Sequence, residues 1–280
     1  MNMIGYSIFS HSILTANSND PLLAAIVGFF AGLVFFYKGF KELLLKRVIE
    51  NTPTSKIRSM AMGLVEIVGK AKPRKTIISP ISKKECTYYQ WKIEKYARNK
   101  NSGRWVKIGG GESYEPFYIE DNTGKAIVFP IGADFKLKTD MQIKCNSYGI
   151  KPEWAMLFDS KGIKYRGFFG SNRLRITEIY VLPDDVLYIL GTAHFWKSKK
   201  KDTFMMNTEK KEVMERLYEM DSKCHASLRK GKNSKYYLIS DSSEKELISR
   251  MSWQVPLMLF GGPLLSVAML IYILYRFHSL

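Results

Sequence analysis

Cysteine, histidine and charge near the ends are what this sequence has little of. Its three cysteines, Cys86, Cys145 and Cys224, form no Cys-x-x-Cys pair and stand at no metal-like spacing from the four histidines. That argues against a disulfide framework and fits a reducing, cytosolic setting. There is no His-x-x-x-His with which one helix face could hold zinc. There is no Gly-x-Ser-x-Gly elbow to expose a serine nucleophile. The one glycine run, Gly109 to Gly111, is followed by Glu112, where a phosphate-binding loop needs a lysine and then a hydroxyl. Asp184 with Asp185 reads as turn chemistry. No catalytic residue, metal ligand or cofactor site is therefore expected.

The ends are also almost without charge. Outside Lys41 to Arg250 only Asp20, Lys38 and Arg276 are charged, so nearly all of the net +17 lies in the middle of the chain. Such a field favours anionic partners: anionic lipid headgroups first, nucleic acid second. Each end instead carries an apolar run, Pro21 to Tyr37 and Val255 to Tyr275. A helix of about 20 apolar residues crosses the hydrocarbon core of a bilayer, so two transmembrane helices are predicted. Trp253, Tyr272 and Tyr275 suit the headgroup level. Lys38, Lys41, Lys46 and Arg47 follow the first run, and Lys245 and Arg250 precede the second. By the positive-inside rule the central domain is cytoplasmic and both termini lie outside.

Gly28 and Gly32 have the spacing that lets helix backbones approach, against the second span or against a second copy of the chain in a homo-oligomer. Gly261-Gly262-Pro263 predicts a bend or break in the second span. The expected segments are an extracytoplasmic N-terminus (1–20), the first transmembrane helix with its cytoplasmic extension (21–47), a β-rich domain (48–240), a helix leading into the second span (241–276) and a short tail (277–280).

Between the spans the periodicity changes to two. Residues 63–69 alternate. So do 86–96, with Tyr89, Trp91 and Ile93 on one face and Gln90, Lys92 and Glu94 on the wet one. Residues 104–108 read as the return strand of a hairpin. Residues 117–121 and 126–129 flank Asn122-Thr-Gly-Lys125 as a second. Residues 136–146, 176–182, 186–195 and 236–240 complete about nine strands, the third pair joined across Pro183-Asp184-Asp185 as a hairpin or a tight connection. Short helices are expected at 154–160 and 207–220, and Asp241 with Glu244 reads as a capping box. The fold class is a membrane-anchored α+β protein: a mainly antiparallel β domain, small barrel or sandwich-like, between two transmembrane helices. Its candidate anionic-partner surface is Arg98, Lys100, Arg104, Trp105 and Lys107 on the first hairpin, with Lys199, Lys200 and Lys201 in a basic loop. Basic and aromatic side chains together grip headgroups or nucleic acid strands.

The two flanking spans, residues 52–71 with Gly63-Leu-Val-Glu-Ile-Val-Gly69, and Glu178-Ile-Tyr-Val-Leu-Pro-Asp-Asp-Val-Leu-Tyr-Ile-Leu-Gly-Thr-Ala193 carry a resemblance. So do Ser79-Pro80 leading to Cys86, the 117–126 hairpin and the run from Tyr237. The chain resembles the GIDE family, the beside-a-membrane domain of MULAN/MAPL-type ubiquitin ligases. The resemblance implies a zinc-binding RING domain after the second span; three cysteines cannot supply its ligands, so a member lacking the RING is expected. The leading function is a docking or sensing module for a protein or anionic lipid partner at the cytoplasmic membrane surface. The alternatives are a ligase-like transferase component whose catalysis comes from another chain, and a membrane-tethered nucleic-acid binder.

Overall fold

The computed structural model describes residues 21–98, 103–166, 172–195, 224–231 and 236–278. The expected helix at 207–220 lies outside them. The described residues hold three α-helices, α1 (Pro21–Asn51), α2 (Pro152–Ser160) and α3 (Glu244–His278), and a single 3-10 turn at Ile57–Ser59. The chain divides into a helical unit, 1–51 with 245–280, and a β unit, 52–244.

In the helical unit, α1 and α3 are both long and apolar enough to cross a membrane. Small residues set their approach. A Cβ on Gly32 would stand 2.5 Å from the Gly262 carbonyl oxygen, and one on Gly39 would stand 2.7 Å from Cβ of Met258. Ser266 Oγ donates to the Phe29 carbonyl at 2.9 Å. Gly28 and Gly32 therefore face α3, against Met269 and Ser266, and within one chain that face is taken. Two expectations need correction here. Of the bend or break expected at Gly261-Gly262-Pro263 there is no break, the helix running continuously through Pro256 and Pro263. The first helix runs to Asn51, just before Thr52 and Pro53, its last turns holding a Lys46–Glu50 pair at 3.6 Å. Asp241 is no cap for α3, which starts at Glu244; its carboxylate instead accepts the Lys138 N–H at 2.8 Å.

The β unit has thirteen strands among the described residues, not nine. They are β1 (Gly63–Pro73), β2 (Ile77–Ile78), β3 (Glu85–Cys86), β4 (Tyr88–Arg98), β5 (Gly103–Glu112), β6 (Phe117–Glu120), β7 (Lys125–Val128), β8 (Asp134–Lys136), β9 (Met141–Asn146), β10 (Arg173–Val181), β11 (Val186–Phe195), β12 (Ala226–Arg229) and β13 (Leu238–Ser240). Five of them close on themselves in the order β1-β6-β7-β12-β11 and back to β1, with β13 and β8 extending from β11. All pairs in the ring are antiparallel except β7–β12. Closure of the five-stranded ring leaves an interior that alternating residues fill: Ile67, Phe117, Ile119, Val128, Ile189 and Leu228, all fully buried. Gly69 is required where β1 crosses β6, since a Cβ there would sit 2.6 Å from the Glu120 carbonyl oxygen.

The second sheet has four strands in the order β5-β4-β10-β9. Trp91, Ile93, Leu174 and Ile176 point to one side and pack on Trp154 and Phe158 of α2. Trp154 Nε1 donates to the Ile81 carbonyl at 3.1 Å. The buried Glu178 ties down the loop that carries Ile81, accepting the N–H groups of Ile81 at 3.0 Å and Ser82 at 2.9 Å. β10 and β11 do not form a hairpin. Each belongs to a different sheet, and Leu182 to Asp185 is a tight connection in which Asp184 takes φ 71° and its N–H bonds the Ala71 carbonyl of β1 at 2.8 Å. Aspartate tolerates that left-handed geometry better than most side chains.

Candidate functional site

One face of the four-stranded sheet packs on α2; the other is polar and carries the charge. The register places Arg175 of β10 beside Glu94 of β4 on one flank and Lys144 of β9 on the other. One pair further on, Thr177 stands beside Lys92, which in turn stands beside Gly110 of β5. Alternation fixes this: Leu174 and Ile176 go to the core, so Arg173, Arg175 and Thr177 face away. A register shift between Ile93 and Glu94 then brings Lys107 opposite Glu94 and onto the same face.

Glu94 corrects the expected wet face, for it is buried. The Arg175 guanidinium donates to it at 2.7 Å and holds its carboxyl below the usual range against the opposing effect of burial, with Lys92 at 3.8 Å assisting. Arg175 also lies 4.6 Å from the Trp105 ring centroid, and Arg173 lies 5.2 Å from that of Tyr96. The two rings meet edge-on at 5.2 Å. Cation and aromatic side chains thus alternate across the face, each ring already carrying a guanidinium.

Beside this cluster is a groove of about 490 Å³ lined by Gln90, Lys92, Lys107, Glu112, Tyr114 and Thr177, with Gly110 in its floor. Glu112 accepts the Tyr88 hydroxyl at 3.3 Å and the Gln90 amide at 3.4 Å. Burial pushes the Tyr114 phenol up, and the nearby Glu112 carboxylate adds to the effect. Thr177 is 4% exposed, and its Oγ1 has no hydrogen-bond partner.

Of the surface read from sequence, Arg98, Trp105 and Lys107 belong to this face, Arg98 lying two residues beyond Tyr96 on β4 and exposed near the hairpin tip. Arg104 is also exposed there but stands opposite Ala97, so it alternates to the other side from Trp105. Lys100, Lys199, Lys200 and Lys201 lie outside the described residues. Sequence reasoning missed Lys92, Lys144, Arg173 and Arg175. The signal for the arginines was present: Arg173-Leu-Arg-Ile-Thr177 alternates, but the strand was read only from Ile176. Gly109 to Gly111 form part of β5, where Gly109 makes room for Ile163 and Gly111 for the Trp91 indole.

No three His, Cys, Asp or Glu side chains gather as a metal site among the described residues. Burial, reinforced by the Glu178 charge, pushes the Cys86 thiol up to about 11, which keeps it protonated and unreactive. No family model, curated protein or solved structure matches the chain.

Proposed function

We propose that this is a two-span membrane protein whose β unit docks anionic lipid headgroups through the open face of its four-stranded sheet. The observation that supports the reading best is the composition of that face. Among the described residues Lys92, Arg98, Lys107, Lys144, Arg173 and Arg175 share it, against Glu94 and Glu112. Connectivity supplies the partner. The β unit begins at Thr52, directly after α1, and ends at Glu244, the first residue of α3. With both apolar helices inserted, the domain stays within reach of headgroups, so even weak charge contacts count, each worth about 1 kcal/mol near an anionic surface. The basic residues next to both helices support an orientation with the domain on the cytoplasmic side and both termini outside. Nucleic acid is the weaker reading, because the rings it would stack on are occupied by Arg173 and Arg175.

The test is residue-resolved lysine acetylation of the full chain in phosphatidylcholine vesicles and in vesicles containing phosphatidylglycerol. Lys92, Lys107 and Lys144 should be protected in the anionic vesicles, and the protection should fade with salt. Equal labelling in both vesicles would sink the reading, as would protection by oligonucleotides alone. Protease access to the β unit from outside intact cells would overturn the orientation.

A further inference from the structure

The outer side of the barrel carries a surface of another kind, on β1 and β11. Val65, Ile67 and Ala71 point into the barrel, as do Leu187, Ile189 and Ala193. Leu64, Glu66, Val68 and Lys70 therefore face out, beside Thr192, Leu190, Tyr188 and Val186 in register. Apolar side chains lie exposed on both sides of Glu66: Met62 and Leu64 before it, Val68 and Val186 after it. From Leu64 to Lys70 the strip is ~20 Å long at the rise of a strand. Glu66 is the one acidic residue in either strand, and it is fully buried. At the far end Lys70 stands opposite Glu120 of β6 and Lys72 pairs with Asp184, so the charges there balance. An exposed apolar patch with a polar rim marks a protein or membrane contact.

Both ends of the β unit meet at the middle of this strip. The Thr54 hydroxyl donates to the Glu66 carboxylate, and the Ser55 N–H donates to the Glu66 carbonyl at 2.7 Å. Thr52, where the unit begins directly after α1, is two residues back, at most about 7 Å of chain. On the other flank Tyr188, whose hydroxyl donates to Glu66 at 2.6 Å, pairs with Ser240 of β13. Four residues later the unit ends at Glu244, near enough that its charge raises both the Glu66 carboxyl and the Tyr188 phenol. Both connections to the apolar helices are thus made at one strip. With those helices across a bilayer, the connections lie at its surface, and the strip that holds them lies there too.

We infer that the outer β1–β11 strip is seated in the bilayer interface, with Leu64, Val68 and Val186 at the boundary of headgroups and acyl chains and the Lys70 amine reaching back to the phosphates. The inference rests on the two-span part of the proposed function and is independent of the charged sheet face. A strip of balanced charge needs no anionic lipid, whereas docking by the sheet does.

The experiment places a nitrobenzoxadiazole label on single cysteines, Leu64→Cys, Val68→Cys and Val186→Cys, with Met156→Cys on α2 as the control. The full chain carries Cys145→Ser and is reconstituted in pure phosphatidylcholine. The four positions are exposed, so the substitutions leave both cores intact. Phosphatidylcholine with a nitroxide high on its acyl chain should quench the three strip labels roughly twofold or more beyond the control, as for side chains about 5–10 Å into the interface. Added phosphatidylglycerol should leave that quenching unchanged. Equal quenching at all four positions, or quenching that requires anionic lipid, overturns the inference. A blue-shifted but unquenched strip label means that protein, such as a second copy of the chain, covers the strip, and overturns it as well. Phe30→Cys and Phe260→Cys, exposed on α1 and α3, report the premise. If they are quenched and the strip is not, only the seating falls; if none is quenched, the two-span reading falls with it.

Discussion

The closed barrel and the open four-stranded sheet use the same alternating strands and treat buried carboxylates in opposite ways. On the outer side of β1, Glu66 is fully buried and meets hydroxyls: Thr54 Oγ1 donates at 2.5 Å and Tyr188 OH at 2.6 Å. Burial pushes its carboxyl up, those two donors pull it back only in part, and Glu244 pushes it further. On the sheet, Glu94 is held down by Arg175. The ring of strands turns one face into a packed interior, and on its outer face Glu66 is covered and satisfied by hydroxyls of the same unit. A sheet that packs on a helix from one side keeps a face on which charge can be both paired and displayed. Function is therefore expected on the open sheet and stability in the barrel.

Truncation in either core should have the largest effect. Phe117 fills the barrel, and Phe158 packs under the sheet with its ring 5.7 Å from Trp91. Phe117→Ala and Phe158→Ala should each cost ~3–5 kcal/mol. Because 52–244 is one compact unit, denaturant unfolding of the full chain in nanodiscs should show a single β-unit transition in both variants. If Phe158→Ala loosens only the amides of β4, β5, β9 and β10 in hydrogen exchange, the two cores are independent.

Arg175→Met comes next. It leaves Glu94 buried with only Lys92 at 3.8 Å, and should cost ~2 kcal/mol, the value of a hydrogen bond to a charged group. Adding Glu94→Gln should recover most of the loss, and a double-mutant cycle measures the coupling. A smaller effect of opposite sign is expected at Thr177. Its orphaned hydroxyl is a cost to the folded state, so Thr177→Val should stabilise the chain by ~1 kcal/mol in the same unfolding assay.

The barrel and the sheet also differ in how far the sequence reveals them. Long strands could be read because eight or more alternating residues carry a period, as in β1 and β4, and the β6–β7 hairpin could be read from its Gly-containing turn. The short strands β2, β3, β8 and β12 could not: two to four residues show no period, and β12 exists because barrel closure gives it β7 and β11 as neighbours. The candidate surface was half visible for a related reason. Trp105 and Lys107 are close in sequence and form a cluster on inspection. Arg175 reaches Glu94 across 81 residues, a pairing that only the β4–β10 register creates. A groove made by the missing side chain of Gly110 leaves no compositional trace beyond a glycine run that looks like a loop.

The smallest effect is a slope with pH. Glu66 is raised from an ordinary value of about 4.5, so in the window above that value the folded state keeps a proton that the unfolded chain has released. Its contribution to stability is complete below 4.5 and is lost as pH rises through the folded value. Asp140, raised mainly by burial, acts in the same direction. Glu94 is lowered, so its contribution is complete above 4.5 and is lost as pH falls through its folded value. Asp121, where hydrogen bonds from Thr123, Ile57 and Gly124 overcome burial, acts with Glu94. The chain should therefore be most stable in mild acid. Glu66→Gln should flatten only the decline on the alkaline side, and Arg175→Met only the decline on the acid side. Tm followed by circular dichroism across that range separates them. If Glu66→Gln leaves the alkaline slope unchanged, the barrel carboxylate is ionised like its counterpart on the sheet, and the contrast between the two regions is one of geometry without a difference in charge state.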